Sequence, residues 1–133
     1  MTGRKTVLVV DDELSLRIFI ATLLETSGFS PVLCKNGHDG TLKAREIKPD
    51  LIILDVMMPG EGGVEMYRAL KTDAELRDIP VLMLSAVSRA SFSHYLRMLN
   101  ARIDPPVPDP DAYLEKPPDA NQLRETVIRL VSV

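Results

Sequence analysis

Short apolar runs alternate with segments of helical period along the whole chain. The strongest runs lie at 7–10, 51–54 and 81–84, and weaker ones lie at 31–34 and 112–114. None of the strong runs alternates between apolar and polar residues, so each predicts a strand that is covered on both faces. Strands of this kind are typical of a parallel sheet with helices on either side.

The segments between these runs carry the spacing of amphipathic helices. Apolar residues recur at i, i+3, i+4 and i+7 in 16–23 and at matching spacings in 92–99, and a similar pattern fills 123–131. The segment 37–47 predicts a poorer helix, because Gly40 lies inside it. Strands that alternate with helices in this way make a repeat of five βα units.

A βα repeat of this length leaves few topologies, because crossovers between parallel strands are right-handed. The fold class predicted is α/β, a single doubly wound five-stranded parallel sheet in the flavodoxin-like order 2-1-3-4-5, with helices on both faces. Ligands of such sheets bind outside the carboxyl ends of the strands. The polar residues that directly follow the apolar runs are therefore the candidates for chemistry.

Composition and charge narrow the classes of function. A chain of 133 residues is long enough to bury one core, so a single domain is predicted over 1–133. The net charge is −3, and Lys and Arg are dispersed, so no basic arm predicts a nucleic-acid partner. No apolar run approaches the ~20 residues of a membrane-spanning helix. The single cysteine, Cys34, fits a reducing compartment, and a cytoplasmic protein is predicted.

Carboxylates collect at the ends of two strands that the predicted order makes neighbours. Asp11 and Asp12 directly follow the first apolar run, and Asp55 directly follows the third. Carboxylates brought together at one edge repel one another, and burial adds to that cost. A hard divalent cation removes the conflict, because Mg²⁺ takes oxygen ligands from carboxylates. The sequence therefore predicts a Mg²⁺ site at this edge of the sheet.

Ser85 and Lys116 bring two further groups to the same edge. Ser85 ends the fourth run in VLMLSA, and Lys116 ends the fifth strand in YLEKPP. A carboxylate nucleophile, a metal, a hydroxyl and an ammonium group around one point are what phosphoryl transfer to an aspartate needs. The pattern indicates that Asp55 accepts a phosphoryl group, with Ser85 and Lys116 as the catalytic groups beside it.

Four motifs, taken in their order and separations, resemble the receiver domain of two-component response regulators and chemotaxis receivers: VLVVDDE, LIILDVMMPG, PVLMLSA and YLEKPPD. The resemblance covers about 5–131. It implies that Asp55 is the phosphoacceptor and that Asp11 and Asp12 hold Mg²⁺ directly or through water. It further implies that the backbone carbonyl of Met57 is a metal ligand, and that a histidine kinase or phosphotransfer protein is the phosphodonor.

The resemblance also implies a conformational switch. Ser85 and Lys116 would contact the phosphoryl group, and Tyr113 occupies the aromatic position that changes its exposure in the family when the hydroxyl residue moves. Phosphorylation adds roughly 1.5 to 2 negative charges at Asp55, which would bias the last two βα units between two arrangements. Two plainer interpretations stay open: Tyr113 as a core residue, and Asp12 as the cap of the first helix.

The chain departs from the family between Ser85 and Lys116, where it has more residues than the family usually has. The excess is a Pro-rich loop at about 102–111, and its prolines favour extended backbone and cannot lie inside a helix. The helix that begins near Ser88 is therefore predicted to stop before Asp104. The loop is either a specialised docking loop or a tolerated surface insertion, and it leaves the partner face and homodimer formation open.

Two other classes of function are weighed against the receiver. A degenerate receiver that docks partners without phosphate is the alternative; the intact set of site residues argues against it, while the loop keeps it open. A phosphatase of the haloacid dehalogenase type needs an Asp-x-Asp pair after its first strand and a cap domain, and the sequence offers neither. The protein is predicted not to be an enzyme beyond catalysing its own phosphorylation and dephosphorylation, and to act by contact with an unknown protein target.

Overall fold

The computed structural model describes residues 3–56 and 62–132 of the chain. Within these ranges strands and helices alternate strictly. The strands are β1 (Thr6–Val10), β2 (Ser30–Cys34), β3 (Leu51–Leu54), β4 (Val81–Ser85) and β5 (Ala112–Glu115). The helices are α1 (Leu14–Thr26), α2 (Gly37–Ile47), α3 (Gly63–Thr72), α4 (Arg89–Asn100) and α5 (Ala120–Val131). None of these helices is both long and apolar enough to cross a membrane.

All neighbouring strands are parallel, and they form one sheet in the order β2-β1-β3-β4-β5. This order confirms the predicted fold class. The last residue of β1, Val10, is aligned with Cys34 on one side and with Leu54 on the other. Because β1 and β3 end at the same level, the residues that follow them emerge at one edge of the sheet.

The core is split by the sheet into two apolar layers. Alternate residues of β1 face opposite layers, with Val7 and Val9 on the side of α1 and α5, and Leu8 and Val10 on the side of α2, α3 and α4. All four side chains are fully buried. Burying one such aliphatic side chain contributes about 1.5 to 3 kcal/mol relative to leaving it exposed. The continuous apolar runs of the sequence are explained by this burial on both faces.

The Pro-rich loop is packed against the rest of the fold. Helix α4 ends at Asn100, which confirms that it stops before Asp104. The side chain of Val107 is only 4% exposed and belongs to the core layer on the α3 and α4 side. The peptide bond between Asp104 and Pro105 is cis. An insertion that lay only on the surface would not bury an aliphatic side chain in the core. The loop is therefore part of the packed structure.

Candidate functional site

Three carboxylates converge where β1 and β3 end. Asp11 and Asp12 follow β1, Asp55 follows β3, and one carboxylate oxygen from each residue lies within 4.8 Å of the other two. The side chains of Asp11 and Asp55 are buried, at 2% and 3% exposed, whereas Asp12 is exposed to solvent. The structure thus brings together the three side chains that the strand order predicts, with the cluster open toward solvent at Asp12.

The position of Asp11 is determined by contacts at its polar atoms. Its backbone N–H donates to the carbonyl of Cys34 at 3.1 Å, and its own carbonyl accepts from the guanidinium group of Arg17 at 2.6 Å. Its carboxylate Oδ1 accepts from the backbone N–H of Glu13 at 2.9 Å. A carboxylate held by neighbours on both sides needs little reordering to bind a cation, which favours preorganised binding.

Asp12 does not cap the first helix. Glu13 occupies the N-cap position of α1, and its own side chain accepts no capping hydrogen bond. The interpretation of Asp12 as a helix cap is therefore wrong. Its exposed carboxylate remains a candidate metal ligand beside Asp11 and Asp55.

Lys116 places its ammonium group among the carboxylates. The Nζ atom lies 2.9 Å from Asp11 Oδ2, 2.9 Å from Glu13 Oε1 and 3.1 Å from Asp55 Oδ2. The backbone N–H of Lys116 donates to the carbonyl of Ser85 at 2.8 Å, which fixes the end of β5 against β4. Burial lowers the pKa of Lys116, but its hydrogen bonds to the three carboxylates outweigh burial and leave the pKa raised. The ammonium group therefore stays charged at neutral pH.

The charges of this cluster do not balance. The ammonium group of Lys116 contacts the carboxylates of Asp11, Glu13 and Asp55, and the carboxylate of Asp12 belongs to the same cluster; Asp11 and Asp55 are almost fully buried. Excess buried negative charge is costly unless a cation neutralises it. Clustered carboxylate oxygens are the ligand chemistry that Mg²⁺ prefers. The residues present therefore fit Mg²⁺, and Met57, the fourth predicted ligand, lies outside the described residues.

Ser85 and Tyr113 both contact the residue two positions after β4. Ser85 is fully buried, and its hydroxyl oxygen accepts from the backbone N–H of Val87 at 3.2 Å. The Tyr113 hydroxyl donates to the carbonyl of Val87 at 2.6 Å, and its ring stacks on Phe92 with centroids 5.3 Å apart. Burial raises the pKa of the Tyr113 hydroxyl. In this structure Tyr113 lies inside the domain, and its role in a switch stays a prediction.

Gly63, the first residue of α3, belongs to the site but is absent from the residues predicted from the sequence. A Cβ atom at this position would lie 1.9 Å from the carbonyl oxygen of Asp55 and 2.7 Å from the Cα of Val56. Both distances are far shorter than any contact between such atoms, so only glycine allows α3 to begin directly behind Asp55. The consecutive glycines of EGGVE are a signal for such a close approach.

The Gly63→Ala variant is expected to lose about 2 kcal/mol of unfolding free energy, because the added methyl group must displace backbone atoms. Urea denaturation followed by circular dichroism measures this loss. Gly40→Ala is the comparison variant, and a smaller loss is expected there, because its Cβ would lie 2.9 Å from side-chain atoms only: the Sδ of Met66, which can move, and the Cγ2 of Val10, which is rigid. Equal stability of the two variants would contradict the backbone argument.

Glu13 and Arg17 are also missing from the sequence-based site. Glu13 shares the ammonium group of Lys116, and Arg17 holds the carbonyl of Asp11. On a predicted helix both residues look like ordinary solvated charges, and only the placement of α1 beside the strand ends gives them these contacts. The peptide bond between Lys116 and Pro117 is cis.

Comparison with known proteins agrees with this architecture. The model of the response regulator receiver domain matches residues 7–128. The polar-differentiation response regulator DivK of Brucella anthropi is 33% identical over 124 residues, which cover 92% of this chain and 93% of DivK. The phosphate regulon transcriptional regulatory protein PhoB of Pseudomonas aeruginosa is 44% identical over 82 residues. That match covers 62% of this chain and only 36% of PhoB.

Solved structures show the same fold. The chemotaxis protein CheY4 of Vibrio cholerae has a TM-score of 0.82 at 25% identity, over 96% of this chain and 99% of CheY4. The receiver domain of a signal transduction histidine kinase from Syntrophus aciditrophicus has a TM-score of 0.80 at 30% identity, over 96% of this chain and 90% of that domain. Together with the family match over most of its length, these likenesses show that the chain belongs to the response regulator receiver domain family.

Proposed function

We propose that the protein is a phosphoacceptor of a two-component signalling system that takes a phosphoryl group on Asp55 and signals by protein contact. The observation that carries this proposal is the ammonium group of Lys116, 3.1 Å from Asp55 Oδ2, inside a cluster of carboxylates. A nucleophilic carboxylate next to a fixed cation is suited to receive a group that carries negative charge. A histidine kinase or phosphotransfer protein would be the phosphodonor.

Each residue of the site has a defined part in this proposal. A carboxylate oxygen of Asp55 attacks phosphorus, the bond from phosphorus to the donor nitrogen breaks, and an acyl phosphate forms. Lys116 pairs with the transferred oxygens, and the hydroxyl of Ser85 donates to one of them. Asp11, Asp12 and Asp55 would hold Mg²⁺, and Met57 stays a predicted further ligand. When bound, the metal would neutralise charge on the phosphoryl oxygens.

The proposed switch begins at Ser85. Its hydroxyl oxygen accepts from Val87 N–H at present, and donation to a phosphoryl oxygen would draw it toward Asp55. The Tyr113 hydroxyl donates a hydrogen bond to the carbonyl of the same Val87, and its ring stacks on Phe92. A shift of this turn would therefore displace the Tyr113 ring and Phe92. Two arrangements of this turn with different partner affinities would suffice for signalling.

The phosphodonor is proposed to dock beside α1. Leu14, Ile18 and Phe19 expose 62%, 55% and 41% of their surface on this helix. Phe19 also lines a groove with Pro117 and Pro118, directly beside Lys116. Apolar residues clustered on the rim of a charged site are typical of an interaction surface. A partner that covers them would reach the open side of the carboxylate cluster.

The remaining parts of the proposal follow from the family. The chain would be no enzyme beyond its own phosphorylation and dephosphorylation, and a cytoplasmic location would fit the single cysteine of its sequence. A downstream protein, bound by the monomer or by a homodimer, would receive the signal. This chain matches about a third of the length of PhoB, so the activity of that whole regulator is not proposed for it.

Intact-protein mass spectrometry after incubation with acetyl phosphate tests the proposal. With Mg²⁺ we expect the mass to increase by one phosphoryl group, and with a chelator in place of Mg²⁺ we expect no increase. The physical reason is that the excess negative charge of the cluster repels the phosphodonor until a cation neutralises it. No adduct under either condition would contradict the proposal and favour a degenerate receiver that docks partners without phosphate.

A further inference from the structure

Helix α4 is attached at its C-terminal end to the segment 101–111, called here the anchored loop. The side-chain amide of Asn100 donates to the carbonyl of Val107 at 2.9 Å, and its oxygen accepts from the Val107 N–H at 2.9 Å. This paired contact reproduces the hydrogen bonds between two strands. It satisfies both backbone groups of a residue whose side chain is 4% exposed, and leaving such groups unpaired would be costly.

A second attachment joins the anchored loop to α3. The Tyr67 side chain is 1% exposed, and its hydroxyl donates to the carbonyl of Pro108 at 2.7 Å. Tyr67, Val107 and Leu96 belong to the same apolar core layer. The anchored loop therefore fills the space between α3 and the C-terminal half of α4.

A third attachment joins the end of the anchored loop to β4. The carboxylate of Asp111 accepts from the Val81 N–H at 2.8 Å, and the Asp111 N–H donates to the Val81 carbonyl at 3.0 Å. Val81 is the fully buried first residue of β4. The anchored loop is thus held at α4, at α3 and at the sheet.

The N-terminal end of α4 is attached through the buried ring of Phe92, which stacks on Tyr113, and through exposed hydrogen bonds. The Ser88 side chain accepts from the Ser91 N–H at 3.1 Å, and the exposed carboxylate of Glu115 accepts from the Arg89 N–H at 3.2 Å. Exposed hydrogen bonds of this kind contribute less than buried ones, because water replaces them readily. The C-terminal end of α4 is therefore held by hydrogen bonds to the buried residue Val107, whereas the N-terminal end is held by exposed hydrogen bonds and by the stack of Phe92 on Tyr113.

We propose that the anchored loop fixes the C-terminal half of α4 and confines the phosphorylation-linked change to the turn after β4 and the N-terminal half of the helix. This inference rests on the proposed function. The contacts of Ser85 and Tyr113 with Val87 lie at the N-terminal end of α4, where Phe92 stacks on Tyr113, so the change begins there and moves this turn of the helix.

Hydrogen exchange measured by mass spectrometry tests this inference, with Mg²⁺ and beryllofluoride as the phosphoryl analogue. In the wild type we expect the ligand to change exchange in 86–93 and to leave 96–108 unchanged. Tyr67→Phe removes only the hydroxyl that bonds Pro108, and it is expected to speed exchange in 96–108 about fivefold, the effect of losing one hydrogen bond. Asn100→Ala removes two hydrogen bonds and is expected to have a larger effect.

Tyr95→Phe is the matched control, because Tyr95 is 48% exposed, and it is expected to leave exchange in 96–108 unchanged. The inference is overturned if the ligand changes 96–108 as strongly as 86–93 in the wild type. It is also overturned if neither Tyr67→Phe nor Asn100→Ala speeds exchange in 96–108 without ligand. If the wild type binds no beryllofluoride and accepts no phosphate, the proposed function is wrong. The exchange rates of the variants without ligand then still decide whether the anchored loop holds the helix.

Discussion

The Asp55→Asn variant is expected to accept no phosphoryl group from acetyl phosphate, while it unfolds at a higher temperature than the wild type in the absence of metal. The first effect follows because an amide cannot act as the nucleophile that a carboxylate provides. The second follows because Asp55 is 3% exposed and shares a small space with Asp11 and Asp12. Removing one buried negative charge from such a cluster relieves both repulsion and desolvation.

The gain is expected to be about 1 to 2 kcal/mol of unfolding free energy, toward the lower end of the repulsion between two unit charges about 4 Å apart. Lys116 is not left unpaired, because it keeps Asp11 and Glu13 as partners. Mg²⁺ should reverse the order of stability. At a hundred times its dissociation constant, a ligand that binds only the folded state stabilises it by about 2.7 kcal/mol. The wild type has the full set of carboxylates and should gain more from Mg²⁺ than the variant.

Thermal unfolding with and without Mg²⁺ measures both effects, and mass spectrometry measures phosphate acceptance. Glu125→Gln removes one exposed carboxylate from α5 and should change neither quantity. An Asp55→Asn protein that carries phosphate would show that another residue is the acceptor. One that is less stable than the wild type without metal would show that attraction to Lys116 outweighs repulsion within the cluster.

The Lys116→Gln variant is expected to accept phosphate about 10²- to 10³-fold more slowly than the wild type, the usual cost of removing one fixed electrostatic group from a reaction centre. The ammonium group touches Asp55 and is held there by the backbone contact of Lys116 with Ser85. Glutamine keeps a hydrogen-bond donor of similar length but has no charge to offset that of the incoming phosphoryl group. The initial rate of adduct formation in Mg²⁺ measures the loss.

Lys116→Arg separates the contribution of charge from that of shape. Arginine keeps the charge but spreads it over a planar fork that fits a compact site poorly. We expect its rate to lie between those of the wild type and Lys116→Gln. The proposed role of the ammonium group is ruled out if the rate of Lys116→Gln lies within about threefold of the wild-type rate. Such a difference is well below the effect expected for a fixed electrostatic group.

The sequence by itself predicts the fold and the convergence of the carboxylates. Strands buried on both faces need apolar residues along most of their length, so β1, β3 and β4 each contain an unbroken run of four apolar residues. Once five βα units are recognised, handedness and strand order place Asp11 and Asp55 at one edge. These inferences need only local patterns and general rules of chain geometry.

Other features were decided by the tertiary structure alone. Tyr67 and Pro108 are 41 residues apart, and Glu13 and Lys116 are 103 residues apart, so no local pattern marks either contact. From the sequence, the loop around Val107 is either a docking segment or a tolerated insertion. Its prolines exclude a helix, but composition does not indicate which side chain of the loop enters the core. Which side chains contact one another depends on their shapes and on the distances between them. Distances between residues far apart in the sequence are set only when the chain has folded.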